Sequence, residues 1–329
     1  VKTIKNVVLD DTLFDVAHSR VGQKAYEAGA SGLPFNFNTV SFEVCPTEAG
    51  RAALVMPDPS EVSVAITGQI KTIGKGRAGF SIDDAGAGSG TLSFRVSGSI
   101  SQTSGCQTVY RSVSDPTRYF GASLSGLLKA HGIKVSSEPT KGKVSKGARN
   151  LTRHESKPLS QIVWDLNHYS TNFIAEQLLY HIGFSQAQSL SRVSGLARMG
   201  MYLEKLGFSD KHFDLYDGSG LSHQNRITAM ILGRVLVDIY KNQRIWPEFE
   251  SSLAIAGQSG TLRKRLRGLK GGIVRAKTGS LNGVTSLAGY INTDSGGRFA
   301  FVSITNGGVH FNQARRFEED LIKVVVGNQ

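Results

Sequence analysis

The chain has 329 residues, of which 40% are hydrophobic and 19% charged, and a formal net charge of +12. That length accommodates two domains with substantial cores, and that balance excludes disordered and fibrous chains. No apolar run approaches the roughly eighteen residues a membrane helix needs, and the histidines and cysteines show no metal-ligand spacing, so neither a transmembrane segment nor a metal site is expected.

Taken in order, residues 1–150 read as β-rich. Val62, Val64, Ile66 and later Ile70 alternate with polar residues, as do Leu92, Phe94, Val96 and Ile100, which is the period of a half-buried strand. A turn is predicted over Asp84–Gly88. One helix interrupts the pattern, about Thr117 to His131, with Tyr119, Phe120, Leu124, Leu127 and Leu128 on one face and Gly132 as its stop. The Lys/Ser/Gly/Thr-rich stretch from Glu138 to Thr152 reads as a hinge or surface connection. Cys45 and Cys106 permit one disulfide, and whether they pair depends on whether the fold brings them together.

Residues 151–329 begin helical. Leu159–Leu166, Ser170–Ile182, Ala187–Leu206 and Ile227–Lys241 each carry an apolar face at helical spacing. Three strands follow, Ile273–Lys277, Val284–Ile291 and Phe299–Thr305, the last two joined by a turn over Thr293–Gly297. A closing helix is predicted over Asn312–Val326 with Phe317, Leu321, Val324 and Val325 inward. Antiparallel strands flanked by helices give an α+β arrangement. The basic residues Arg263, Lys264, Arg265, Arg267 and Lys270 form the one dense charge cluster. It reads as a solvated face; a nucleic-acid role would rest on charge alone and is not expected.

Two short motifs carry chemistry. Ser170-Thr171-Asn172 sits at the start of a predicted helix, where a serine commonly caps free backbone N–H groups. Lys277-Thr278-Gly279-Ser280 sits at the end of a strand. It offers an ammonium and two hydroxyls suited to a carboxylate, and a glycine beside which an extended peptide can pair. The turns Asp217-Gly218-Ser219-Gly220-Leu221-Ser222 and Gly257-Gln258-Ser259-Gly260-Thr261-Leu262 read alone as loops.

Order and spacing join these pieces. Ser-x-Asn opening a helix and Lys-Thr-Gly ending a strand about a hundred residues later form the pair found, with Ser-x-x-Lys, in β-lactamases and penicillin-binding proteins. From about residue 4 to 325 the chain resembles the class C low-molecular-mass, type 4 penicillin-binding proteins, the DacB-like D-alanyl-D-alanine carboxypeptidases and endopeptidases. Asn6–Phe14 and Phe37–Val44 look like the opening strands of that family's inserted region, and Asp217–Ser222, Gly260–Leu262 and Lys277–Leu281 match its later motifs.

The resemblance implies a serine β-lactamase/transpeptidase-like catalytic domain over 151–329, preceded over 1–150 by an inserted β-rich accessory region. It implies a periplasmic or cell-envelope enzyme that needs no cofactor and takes peptidoglycan peptides and β-lactam antibiotics. It assigns Ser170, Asn172 and Lys277 to catalysis and Thr278, Gly279 and Ser280 to substrate binding. No serine here is followed three residues later by lysine. Thr72-Ile73-Gly74-Lys75 has the spacing but lies in the β-rich part. The nucleophile is therefore expected upstream of Val1. The rival expectations are a serine β-lactamase or esterase of the same fold, disfavoured by the long β-rich stretch, and a wall-binding module without catalysis.

Overall fold

A computed structural model describes residues 2–15, 22–87, 91–184, 189–269, 272–293, 296–308 and 310–327. The chain divides into two compact units, Val1–Leu151 with Phe184–Ser191, and Thr152–Gly183 with Arg192–Gln329. The sequence division near residue 150 leaves Phe184–Ser191 with the second part. The structure groups it with the first, because Leu190–Ser191 pairs in parallel with Phe14–Asp15.

In the first unit, β1 (Thr39–Cys45) lies between β2 (Leu54–Asp58) and a strand at Gln107–Ser112, both antiparallel to it. The second sheet contains β3 (Val64–Gly68), β4 (Lys71–Ile73), β5 (Gly79–Ala87) and β6 (Leu92–Ser101). We call Gln107–Ser112 β7. β3 and β4 pair in parallel with successive parts of β6, and β5 pairs antiparallel with it. The chain breaks between β3 and β4 at Gly68, whose φ is +83° and where any Cβ would stand 2.2 Å from the Val96 carbonyl oxygen, so only glycine fits.

The alternation read from sequence is what builds this core. Val40, Phe42 and Val44 of β1 and Leu92, Phe94, Val96 and Ile100 of β6 are buried together, with the Phe42 and Phe94 rings edge to face at 4.8 Å. Helix α1 (Pro116–Ala130) closes it. Tyr119 is buried, its hydroxyl donating to the Thr39 carbonyl at 2.9 Å, and burial pushes that phenol up to about 12.

Several expectations are corrected here. The buried face of α1 is Thr117, Tyr119 and Gly121–Ser123, while Leu127 is exposed, because small residues let the helix approach closely: a Cβ at Gly121 would meet Leu9 at 2.6 Å. The turn expected at Asp84–Gly88 is instead the continuation of β5 to Ala87, with a register irregularity between Asp84 and Gly86; Gly88 lies outside the described residues. In the stretch read as a hinge, Thr140–Lys141 pairs in parallel with Val8–Leu9. Cys45 and Cys106 form a disulfide, brought opposite one another by the pairing of Gln107 with Val44.

The second unit starts with helices α2 (Leu159–Tyr169), α3 (Asn172–Ile182), α4 (Arg192–Lys205), α5 (Ala229–Lys241) and α6 (Trp246–Ser252). The helix expected from Ala187 begins only at Arg192, because Leu190–Ser191 is committed to strand pairing; Ala187 and Gln188 lie outside the described residues. An antiparallel sheet follows in the order β8 (Ala254–Ile255), β9 (Val274–Leu281), β10 (Val284–Asn292) and β11 (Arg298–Asn306), and α7 (Phe311–Gly327) comes after it. Of the turn predicted over Thr293–Gly297, Asp294 and Ser295 lie outside the described residues, and Thr293 N–H donates to Gly297 O at 2.8 Å.

Alternation along β9 and β10 sends side chains to two cores. Val274, Ala276, Leu287 and Ile291 meet Ile322 and Val325 of α7, while Tyr290 meets Leu236 of α5 and Trp246 of α6 on the opposite face. The inward stripe of α7 is Ala314, Glu318 and Ile322 with Val325; Phe317, Leu321 and Val324, expected inward, are exposed. Two apolar-looking stripes were available on this helix. An ion pair selects between them, since Arg265 reaches Glu318 at 3.0 Å and Glu319 at 2.9 Å. The basic cluster is therefore not wholly a solvated face: Arg265 is buried while Arg263, Lys264 and Arg267 are exposed, and Lys270 lies outside the described residues.

Candidate active site

Every residue of the candidate site lies in the second unit. Between α2 and α3 the chain turns sharply at Ser170, which adopts left-handed backbone angles of φ +60° and ψ +50°. A non-glycine residue there costs on the order of 1–3 kcal/mol, and such strain concentrates at working sites. Ser170 is thus not the N-terminal cap expected from sequence; it ends α2, and Thr171 precedes Asn172, the first residue of α3. The turn leaves the serine hydroxyl free of a capping role and within reach of Lys277, whose Nζ donates to Ser170 Oγ at 2.6 Å and to the Thr278 carbonyl at 2.6 Å.

Lys277–Ser280 lies within β9 rather than at its end, because β10 pairs along it as far as Leu281 opposite Val284. On the other side β8 pairs only at Ala276 and Arg275. Among the described residues, the stretch from Lys277 to Leu281 therefore keeps one edge without a strand partner, a template for an added peptide strand. The glycine has a further explanation inside the sheet: a Cβ at Gly279 would meet Ser286 Oγ at 2.2 Å. Thr278 Oγ1 donates to Thr261 Oγ1 at 2.9 Å, which ties the Gly260–Leu262 turn to the strand.

The cleft beside this edge has a volume of about 660 Å³. Ser170, Asn172 and Lys277–Ser280 all line it, together with Ser219–His223 and Asn225. The six residues singled out from sequence, more than a hundred positions apart, are brought together. The Lys277 side chain is half-buried overall, with its ammonium end enclosed, and burial lowers it from 10.5 to about 8. Among the described residues no carboxylate pairs with it; its hydrogen-bond acceptors there are a hydroxyl and a carbonyl. A buried cation without a counter-ion is an anion site in waiting.

Two further carboxylates position the cleft wall: Glu176, which belongs to no motif, and Asp217, which opens the Asp217–Ser222 motif. Glu176, one helical turn beyond Asn172, accepts the backbone N–H groups of Gly218 at 2.9 Å and Ser219 at 2.8 Å, and burial raises its carboxyl. Asp217 accepts from Gly220 at 2.7 Å, Ser222 at 2.8 Å and Asn225 Nδ2 at 2.8 Å. What reads as a loose Gly/Ser turn is a fixed wall of the cleft. The only sequence sign of Glu176 is its i+4 spacing from Asn172.

A sequence profile of the D-Ala-D-Ala carboxypeptidase 3 (S13) family matches residues 1–326. The D-alanyl-D-alanine carboxypeptidase of Actinomadura sp. (strain R39) is 30% identical over 307 residues, covering 90% of this chain and 55% of that protein. The D-alanyl-D-alanine carboxypeptidase DacB of Haemophilus influenzae is 34% identical over 161 residues, 48% of this chain and 33% of the relative. The chain spans about half or less of the length of these curated relatives. In fold it is similar to penicillin binding protein 4 (dacB) from H. influenzae, with a TM-score of 0.83 and 23% identity over 99% of this chain and 76% of the other; a second structure of that protein holds a β-lactam.

Proposed function

The chain belongs to the D-Ala-D-Ala carboxypeptidase 3 (S13) family, and from that premise we propose that it is part of a serine-type D-alanyl-D-alanine carboxypeptidase and endopeptidase acting on peptidoglycan peptides. One observation carries this reading: the enclosed ammonium of Lys277, lacking a carboxylate partner among the described residues, donates to Ser170 in a cleft beside an open strand edge.

On this reading a peptide ending in D-Ala-D-Ala lies along β9. Its terminal carboxylate meets Lys277 and the hydroxyls of Thr278 and Ser280, and Asn172 holds a backbone amide of the peptide. The attacking serine belongs to sequence outside these residues, since no serine here is followed three positions later by lysine. Its oxygen bonds to the carbonyl carbon while its proton passes to the lysine of its own motif. The backbone N–H groups of Ser280 and of that serine hold the developing oxyanion. As the C–N bond breaks, Ser170 gives its proton to the leaving amine and takes in exchange the proton held by the lysine of the nucleophile's motif, with Lys277 fixing the direction of its hydroxyl. Water then attacks the ester, releasing the shortened peptide and restoring the serine. A β-lactam enters the same way, with its ring C–N bond broken, and remains as an ester. The proposed compartment is the periplasm or cell envelope, supported by the Cys45–Cys106 disulfide, which an oxidising compartment preserves.

The test uses the full-length gene product with a pentapeptide ending in D-Ala-D-Ala and with a fluorescent penicillin. Release of free D-alanine, together with a long-lived penicillin adduct, is the expected result. Rapid turnover of the penicillin without peptide cleavage would transfer the assignment to a β-lactamase. Neither adduct nor D-alanine would leave a wall-binding module.

A further inference from the structure

Resting on the function just proposed, we infer that Arg315 is a positioning residue for the substrate's terminal carboxylate and acts through Ser280. Ser280 is exposed and lines the cleft, and its Oγ accepts from Arg315 Nη2 at 3.4 Å. A hydroxyl carries one hydrogen and two lone pairs, and a guanidinium can only donate. With Arg315 occupying a lone pair, the Ser280 hydrogen must point to another acceptor, and the free side of Ser280 is the cleft. Thr278, two residues earlier, lies on the same face of β9. Thr278 already gives its one hydrogen to Thr261 Oγ1 at 2.9 Å, so Ser280 is the hydroxyl of this pair whose hydrogen can turn to a carboxylate.

Arg315 is built for a fixed position. Its guanidinium carbon sits 4.0 Å from the centre of the Phe311 ring, one turn back on α7. The carboxylates nearest along the helix, Glu318 and Glu319, are taken up by Arg265 at 3.0 and 2.9 Å. Arg315 Nε is buried and has no acceptor among the described residues. Its charge is thus incompletely neutralised by its own helix, and its hydrogen bond to Ser280 leads to the strand that carries Lys277 and Thr278. Arg315 does not line the cleft itself, which makes its role indirect. It orients the Ser280 hydroxyl and adds positive field behind it.

This role is specific to ligands with a free carboxylate, which separates it from a purely structural one. The experiment measures the acylation rate of the full-length gene product by benzylpenicillin and by its methyl ester, in wild type and in Arg315→Ala, Arg315→Lys and Arg315→Gln. Arg315→Ala is expected to slow reaction with the acid by about tenfold while leaving the ester within about twofold, with Arg315→Lys recovering part of the acid rate. Arg315→Gln keeps the length and a donor without the charge, and carries the same comparison if the alanine variant does not fold. Equal losses for acid and ester, or no loss for either, would overturn the inference while leaving the proposed function intact. A wild-type protein that reacts with neither ligand would remove both.

Discussion

Replacing Lys277 with methionine is expected to stabilise the second unit at pH 7 while reducing acylation of the full-length product by two to three orders of magnitude, the range associated with losing one preorganised donor at a reaction centre. The stability half follows from burial. Lowering the amine from 10.5 to about 8 penalises the charged form by about 3 kcal/mol in the folded state. Below pH 8 the amine is charged in both folded and unfolded chains, and the whole penalty falls on the fold. Between pH 8 and 10.5 the folded amine loses its proton while the unfolded one keeps it, so stability from this group rises with pH.

Methionine removes the penalty but leaves Ser170 Oγ and the Thr278 carbonyl without their donor, which returns about 1 kcal/mol or more. The net expectation is a gain of roughly 1–2 kcal/mol at pH 7 that shrinks as pH approaches 10.5. Denaturant unfolding of the two proteins at pH 7 and pH 10 measures it. A methionine variant less stable than wild type at pH 7, by an amount unchanged at pH 10, would show that Lys277 is held for the fold rather than for a ligand.

The second large effect concerns the β-rich unit. The Cys45–Cys106 bond closes a loop with a sequence separation of 61 across the β1–β7 ladder. By the chain-entropy relation such a loop restricts the unfolded state by roughly 4 kcal/mol. Neither cysteine is fully buried, so a reductant can reach the pair. The double variant Cys45→Ala, Cys106→Ala is expected to lose about that much stability, and hydrogen exchange should speed up at the amides of β1 and β7. Exchange in those strands that matches the oxidised wild type would mean that the Phe42–Phe94 core already sets the stability of the ladder.

How much of this was legible in the residues depends on the range of the cause. The strands of both units were readable because Phe94 and Leu287 obey a two-residue period that any burial enforces. The site residues were readable because Ser170, Asn172 and Lys277–Ser280 are short motifs with a resemblance behind them. What escaped were choices made by distant partners. Phe317, Leu321 and Val324 have as good a claim to the core as the stripe that won, and only the buried Arg265–Glu318 pair, 53 residues apart in sequence, decides between them. Likewise Ser170 ends one helix instead of capping the next, because its left-handed turn is stabilised where Lys277 can meet it. Glu176 carries no motif of its own, and its part in the site comes from the Gly218 and Ser219 amides that donate to it from a distant turn.

The central claim is that Ser170 and Lys277 work as one hydrogen-bonded unit. A double-mutant cycle on the penicillin acylation rate of the full-length product tests it most directly, using Ser170→Ala, Lys277→Ala and the pair. Groups that act as a unit are non-additive, so the double variant is expected to be little slower than the worse single one. Losses that multiply would contradict the account, because they would mean the two side chains serve the reaction independently.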